Sequence, residues 1–276
     1  MDELRAAVIG LVQGLTEFLP VSSSGHLIVV REMFHWHFLK DDLTFDVALH
    51  LGTAMAVLGY FWREWLEMAG ALLGRMRPAW VPSNPGSIYD SRFLILLVVG
   101  SLPAAIVGLP LEQWVEDKVR SPEVVGVMLA LFAVVLLVAE RLGRKVRQIG
   151  AVRLGDAVVI GCAQAVALVP GVSRSGVTIT AALARGLRRE DAARFSFLLA
   201  TPVIVGAGLL KMAQAVHDGI PSGDMAVLLI GTVTAAVVGW ASIGYLLRLL
   251  QTQSYAPFVV YRILAGVFFL AYFLAT

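Results

Sequence analysis

Apolar residues run along this chain in blocks. Six blocks approach the length of a membrane span, at roughly 43–62, 93–111, 123–140, 195–215, 225–247 and 257–275. A bilayer core takes about 20 residues of helix, so each block predicts a transmembrane α-helix. The block at 43–62 is the least apolar, because it carries Asp46 and His50. Two regions, about 4–33 and 155–187, are patterned differently: a short apolar stretch, a knot of Ser, Gly and Pro, then another short apolar stretch. The pieces after the knots, HLIVVREMF and VTITAALARG, are too short to span. Short helix, broken backbone, short helix predicts a re-entrant hairpin, since irregular backbone at membrane depth must be sheltered by protein or water.

The two knots are related. IGLVQGLTEFLPVSSSG (9–25) lies over IGCAQAVALVPGVSRSG (160–176) at one fixed offset of 151, matching Gln13 with Gln164, Ser22 with Ser173, Ser24 with Ser175 and Gly25 with Gly176. GSLPAAIVG (100–108) matches GTVTAAVVG (231–239) further along. The chain therefore reads as a tandem repeat, about 1–141 and 152–276, each copy one hairpin plus three spans. Three is odd, so the second copy enters the membrane inverted. The expected architecture is a single all-α integral membrane domain of six transmembrane helices and two re-entrant hairpins, with an inverted-topology repeat.

Charge supports that topology. Segments 63–92 (with Arg63, Arg75, Arg77 and Arg92), 141–153 and 185–194 are rich in arginine, whereas 216–224 has no Lys or Arg. Placing the rich segments in the cytoplasm fits every span and puts one hairpin on each side, with both termini outside. Only 15% of residues are charged and 58% are hydrophobic, against about a quarter charged in a soluble domain. The single cysteine, Cys162, excludes an internal disulfide or a Cys-based metal cage and reads as a packed small hydrophobe. The N-terminus shows no basic leader or cleavage site.

The knots carry the chemistry. Ser173, Arg174 and Ser175 precede a helix, and Gly176 permits a positive φ; hydroxyls, guanidinium and helix-start N–H groups together make an anion cradle. An arginine within the membrane is expensive, and its fork suits phosphate. Thr178 follows Arg174 by four, on the same helical face. The bland alternative is a serine-rich cap with a snorkelling arginine. In the first knot Ser23 stands where the second has Arg174, and His26 follows three residues later, within reach of a serine–histidine hydrogen bond. Ser22 and Ser24 serve equally well as helix caps or as phosphate donors. Glu17 is the only acid between Glu3 and Glu32, and Gln13 lies one turn before it. That pair could orient a water or hold a hydrated divalent cation with phosphate. His50 and Asp46 are lesser candidates for lining the site, and Arg262 reads as an interface anchor. A donor-rich cradle facing Ser, His and Glu in lipid points to phosphate chemistry on a membrane-embedded substrate.

QGLTEFLPVSSSGHL and PGVSRSGVTIT closely resemble the two signature motifs of the undecaprenyl-diphosphatases, the bacitracin-resistance proteins, and FSFLLATP, FWRE and PFVVYR are similar to that family too. The resemblance covers nearly the whole chain. It implies a bacterial inner-membrane enzyme that removes the terminal phosphate of undecaprenyl diphosphate, regenerating the carrier for peptidoglycan and envelope polysaccharide. It also implies bacitracin resistance and a divalent cation, Mg²⁺ or Ca²⁺. The family's acidic motif falls on Gln13 and Glu17, and its serine–glycine–histidine portion on Ser22, Ser23, Gly25 and His26. Its arginine motif falls on Ser173, Arg174, Ser175 and Thr178. Many members have glutamate where this chain has Gln13, which leaves one carboxylate for a metal. On this reading Ser23, His26, Glu17 and Arg174 are catalytic, with Ser22, Ser24, Gly25, Ser173, Ser175, Gly176 and Thr178 on the phosphate. The expected partner is the polyprenyl diphosphate lipid, reached from the periplasmic side, with no nucleic acid; a homo-oligomer is compatible with the sequence. The rival reading, a transporter or flippase of a polyprenyl phosphate lipid, uses the same anion site.

Overall fold

The computed structural model describes residues 2–36, 42–74, 87–218 and 225–275. Arg75, Arg77 and the 219–224 part of the arginine-free loop lie outside these. Among the described residues the fold is all-α. Its helices are α1 (Asp2–Phe18), α2 (Ser23–Phe34), α3 (Asp42–Tyr60), α4 (Trp62–Leu73), α5 (Ser91–Lys118) and α6 (Pro122–Leu142), followed by α7 (Leu154–Val166), α8 (Arg174–Ala184), α9 (Arg189–Asp218), α10 (Met225–Leu249) and α11 (Ala256–Ala275). Local signals set several starts. Asp90 accepts from Phe93 N (2.9 Å) to cap α5, and Ser121 caps α6 with Pro122 in its first turn.

Among the described residues, five helices are long and apolar enough to cross a bilayer: α5, α6, α9, α10 and α11. Helices α3 and α4 make a sixth candidate if taken together, although the chain bends by 73° between them at Phe61. The block at 43–62 corresponds to α3, which ends in a sharp corner and is not by itself among these five. The protein is a multi-pass membrane protein.

Each knot joins two short helices whose outer ends meet. The Arg5 guanidinium lies 5.9 Å from the Trp36 ring, bringing the start of α1 to the end of α2. Arg185, after α8, bonds Asp156 in the first turn of α7 at 2.7 Å. Helix α1 packs on α10 and α7 on α5. Contact is closest at glycines, because a Cβ on Gly10 would run into the Gly231 carbonyl and one on Gly161 into that of Gly100.

Arginine-rich segments gather at one end of the molecule. Arg194 bonds Glu64 at 3.0 Å, Arg92 donates to Val152 O at 3.2 Å, and Arg147 and Arg185 converge on the buried Asp156. Arg189 reaches Glu140 at 2.7 Å. Two sequence expectations fail here. Cys162 is exposed on α7 instead of packed, because it faces away from the α5 contact that Gly161 makes. Arg262 is fully buried, not an interface anchor; carbonyls of both knots accept its hydrogen bonds in place of water.

Candidate active site

Both knots turn on the same unusual residue. Ser22 (φ 75°, ψ 95°) and Ser173 (φ 73°, ψ 113°) hold positive φ without being glycine, a strain of about 1–3 kcal/mol each. Each caps the helix that follows, its hydroxyl accepting from the N–H of Gly25 (3.4 Å) or Gly176 (3.1 Å). The two caps match in geometry, and each aims the next side chain, Ser23 or Arg174, from the first helical position.

Those two side chains converge on Glu17. Ser23 Oγ donates to Glu17 Oε2, and the Arg174 guanidinium bonds Glu17 Oε1 in a salt bridge. Gln13 Nε2 donates to Oε2 as well, at 3.1 Å. The carboxylate is buried, Ser23 and Arg174 are partly so, and Arg174 also donates to Ala200 O at 3.4 Å. The sequence set Ser23 opposite Arg174 across a phosphate; in the structure the Glu17 carboxylate stands between them as the anion that both groups hold.

His26 takes a different part from the one expected. Its Nδ1 meets Ser22 O at 2.7 Å and its Nε2 meets the Tyr261 hydroxyl at 2.6 Å, so the ring bonds α11 and not Ser23. Starting the helix at Ser23 puts His26 one turn on, where its ring stacks against Tyr261 and meets Phe269 edge-on. The serine–histidine bond is therefore replaced by a serine–glutamate bond.

Around this centre Ser175 Oγ donates to Leu19 O at 3.0 Å, tying the second knot to the first. Thr178 is fully buried and bonds Arg174 O (2.7 Å) and Ser196 Oγ (2.6 Å), so it supports the arginine's helix from below. Ser24 is exposed to a cavity of about 280 Å³. Gly176 leaves room for the Arg262 guanidinium. Arg262 donates to Pro20 O (3.1 Å), Gly171 O (3.2 Å), Val172 O (2.9 Å) and Leu129 O (3.3 Å), fastening both knots to α11 and α6.

Sequence reasoning undervalued His50. Its Nδ1 is 2.7 Å from Asp46 O, its Nε2 lies 3.8 Å from Glu17 Oε2, and it lines the same cavity as Ser24. Its one available signal was polarity within an apolar span.

Two oxygen-bearing side chains here could contribute to a divalent-cation shell. Gln13 Oε1 is buried with no hydrogen-bond partner, and beside the Glu17 carboxylate it offers the hard oxygen that Mg²⁺ or Ca²⁺ takes. No group of three or more His, Cys, Asp and Glu gathers among the described residues. Phosphate oxygens and water would have to complete the coordination, which is the habit of Mg²⁺ in phosphate sites.

Over residues 6–268 the chain matches the family model described as "Bacitracin resistance protein BacA". It is similar to the undecaprenyl-diphosphatase of Geotalea daltonii, 46% identical over 267 residues and 96% of each chain. The protein of that name from Geobacter sulfurreducens is 45% identical over 276 residues, all of both chains. The one from Moorella thermoacetica is 45% identical over 274 residues, 99% of this chain and 98% of the relative.

Proposed function

The chain belongs to the bacitracin resistance protein BacA family, and from that premise we propose how it works as an undecaprenyl-diphosphatase: two serine knots close on one diphosphate. It hydrolyses undecaprenyl diphosphate to undecaprenyl phosphate and inorganic phosphate. That returns the carrier lipid to peptidoglycan and envelope polysaccharide synthesis and counters bacitracin. The observation that carries the mechanism is the buried Glu17 carboxylate, bonded at once by Ser23 of one knot and Arg174 of the other.

Arg174 is already engaged with an anion, and the terminal phosphoryl group takes over that partner. Its fork and the N–H groups at the start of α8 hold the phosphoryl oxygens and stabilise the charge that grows in the transition state. Released from Arg174, Glu17 is a stronger base towards the Ser23 hydroxyl that it already accepts from. Ser23 Oγ attacks the terminal phosphorus, its proton passes to Glu17 Oε2, and the phosphoanhydride bond breaks with undecaprenyl phosphate as leaving group. Glu17 loses that proton to solvent. Water then attacks the phosphoserine; Glu17 draws one water proton and returns one to Ser23 Oγ as the P–O bond breaks, freeing phosphate. His26 holds the Ser22 turn through Ser22 O and Tyr261, which keeps Ser23 aimed. Gln13 Oε1 and Glu17 would hold a divalent cation arriving with the diphosphate, where it offsets the charge on the phosphate oxygens.

The architecture is read as six spans and two re-entrant hairpins in an inverted repeat, about 1–141 and 152–276. Three features support this: the matched serine caps, the meeting ends of each hairpin, and the crossed packing of Gly10 on Gly231 and Gly161 on Gly100. The convergence of arginine-rich segments at one end supports a cytoplasmic placement of that end, with the site open towards the periplasm.

A lipid carrier would need the anion site but not a serine on a carboxylate. Phosphate release from undecaprenyl diphosphate in detergent, with no membrane gradient, separates the two. Wild type should release phosphate. Ser23→Ala and Arg174→Ala should each lose two or more powers of ten in turnover, about the scale for losing a transition-state donor or nucleophile. Near-wild-type turnover by folded Ser23→Ala would sink the covalent route.

A further inference from the structure

Ser22 and Ser173 hold the same strained turn, yet only the first knot staples it with a ring. In both knots the turn carbonyl accepts the backbone N–H four residues on, Ser22 O from His26 N at 3.2 Å and Ser173 O from Val177 N at 2.9 Å. His26 and Val177 are matched positions in the repeat. His26 brings a second donor to the same carbonyl, its Nδ1 at 2.7 Å, closer than the backbone bond. Valine has no donor to bring, so the Ser173 turn forms without one. The ring is therefore not what folds the turn. What separates the two knots is the side chain that each turn aims. Arg174 is a long fork that can reach its partner from several directions, whereas the short Ser23 side chain goes where its backbone puts it.

A carbonyl only accepts, so Nδ1 carries the proton and Nε2 of the neutral ring is bare. The Tyr261 hydroxyl lies 2.6 Å from Nε2 and donates to it. The two rings stack 13° from parallel, and His26 is 7% exposed, which leaves Nε2 dependent on that one donor. We propose that Tyr261 is a positioning residue for the reaction: its hydroxyl proton fixes His26 as the Nδ1–H tautomer, and the ring then pins the carbonyl of the turn that aims Ser23. The assignment rests on the phosphatase reading and deepens it. Without the hydroxyl the ring can hold its proton on Nε2 instead, and a bare Nδ1 repels Ser22 O. With the hydroxyl, both ring nitrogens are engaged. His26 then has neither a proton to give nor a lone pair to lend, and proton transfer stays with Glu17.

Two measurements test this. NMR of the imidazole nitrogens in detergent reads the tautomer directly, with His26→Asn identifying the His26 signals among those of five histidines. Wild type should show Nδ1–H with a bare Nε2, and Tyr261→Phe, which keeps the stacking ring, should show the Nε2–H form mixed in. A wild-type ring protonated at Nε2, alone or together with Nδ1, would overturn the assignment. In phosphate release from undecaprenyl diphosphate, Tyr261→Phe should lower kcat about tenfold, the scale of one buried hydrogen bond, with KM within about twofold of wild type. Its melting temperature should stay within about 2 °C of wild type. An amide has no tautomers, and its N–H group can take the place of Nδ1, so His26→Asn should turn over about tenfold faster than His26→Ala. Adding Tyr261→Phe to His26→Asn should then change kcat by less than about twofold. Unchanged kcat in Tyr261→Phe, losses that multiply in the double variant, or His26→Asn no faster than His26→Ala would each overturn the role. So would a melting temperature that falls along with kcat, which marks packing alone. Wild type releasing no phosphate would sink the phosphatase reading and the role with it, a result distinct from all of these.

Discussion

Replacing Arg262 with methionine tests whether one side chain holds both knots. Methionine keeps most of the stem's volume and removes the donors. Three knot carbonyls, those of Pro20, Gly171 and Val172, then lose the partner that Arg262 gave them. The fourth acceptor, Leu129 O, lies within α6. An orphaned buried polar group costs about 1–3 kcal/mol, so the three together should cost at least about 3 kcal/mol. On the scale of a chain this size that lowers the melting temperature by about 6–12 °C. Turnover should fall further than stability implies, because Pro20 and Val172 adjoin the turns that aim Ser23 and Arg174. A misplacement of about 1 Å can cost a hundredfold. Arg262→Lys keeps a charge but not the fork, and should lie between wild type and methionine in both measurements. The assay pairs a thermal melt of purified protein in detergent with phosphate release by the surviving folded fraction. A methionine variant that melts within about 2 °C of wild type and turns over normally would refute the reasoning.

Two further outcomes follow from the packing and the acidic pair. Gln13→Glu should remain active and shift the divalent-cation concentration giving half-maximal activity, since it adds a second carboxylate beside Glu17; an inactive, folded protein would place the acidic motif elsewhere. Gly161→Val should fail to accumulate as folded protein, or melt well below wild type, because its side chain must enter the space of the Gly100 carbonyl. Normal yield and melting would mean that α5 and α7 are not in close contact.

Much of this was legible in the chain because lipid makes polarity costly. A Ser/Gly/Pro knot between apolar runs, repeated 151 residues on, marked both helix breaks and singled out Ser23 and Arg174 as matched positions, but not the Glu17 carboxylate that stands between them. Partner choice within the site was not legible. His26 turns to Tyr261, 235 residues away in sequence, and Arg31 closes on Asp46 across 15 residues that include an interhelix connection. Such pairings depend on how helices rotate and cross, which periodicity leaves open. Arg262 misled for a related reason: near the start of an apolar span, an arginine that snorkels and one that fills a buried ring of carbonyls look alike.

The contact between Arg262 and Pro20 spans 242 residues, and it bears on how the protein is made. The first knot is made well before α10 and α11, the helices that cover it. Until they arrive, its strained serine turn lacks the donor that fastens it, and Gly10 has no Gly231 to lie against. Chain order and assembly order are therefore opposed: residues of the first knot wait for partners made more than 200 residues later. The first knot cannot reach its final setting before α11 has been made, so a nascent chain that lacks α11 does not hold the Ser23–Glu17–Arg174 cluster in this geometry.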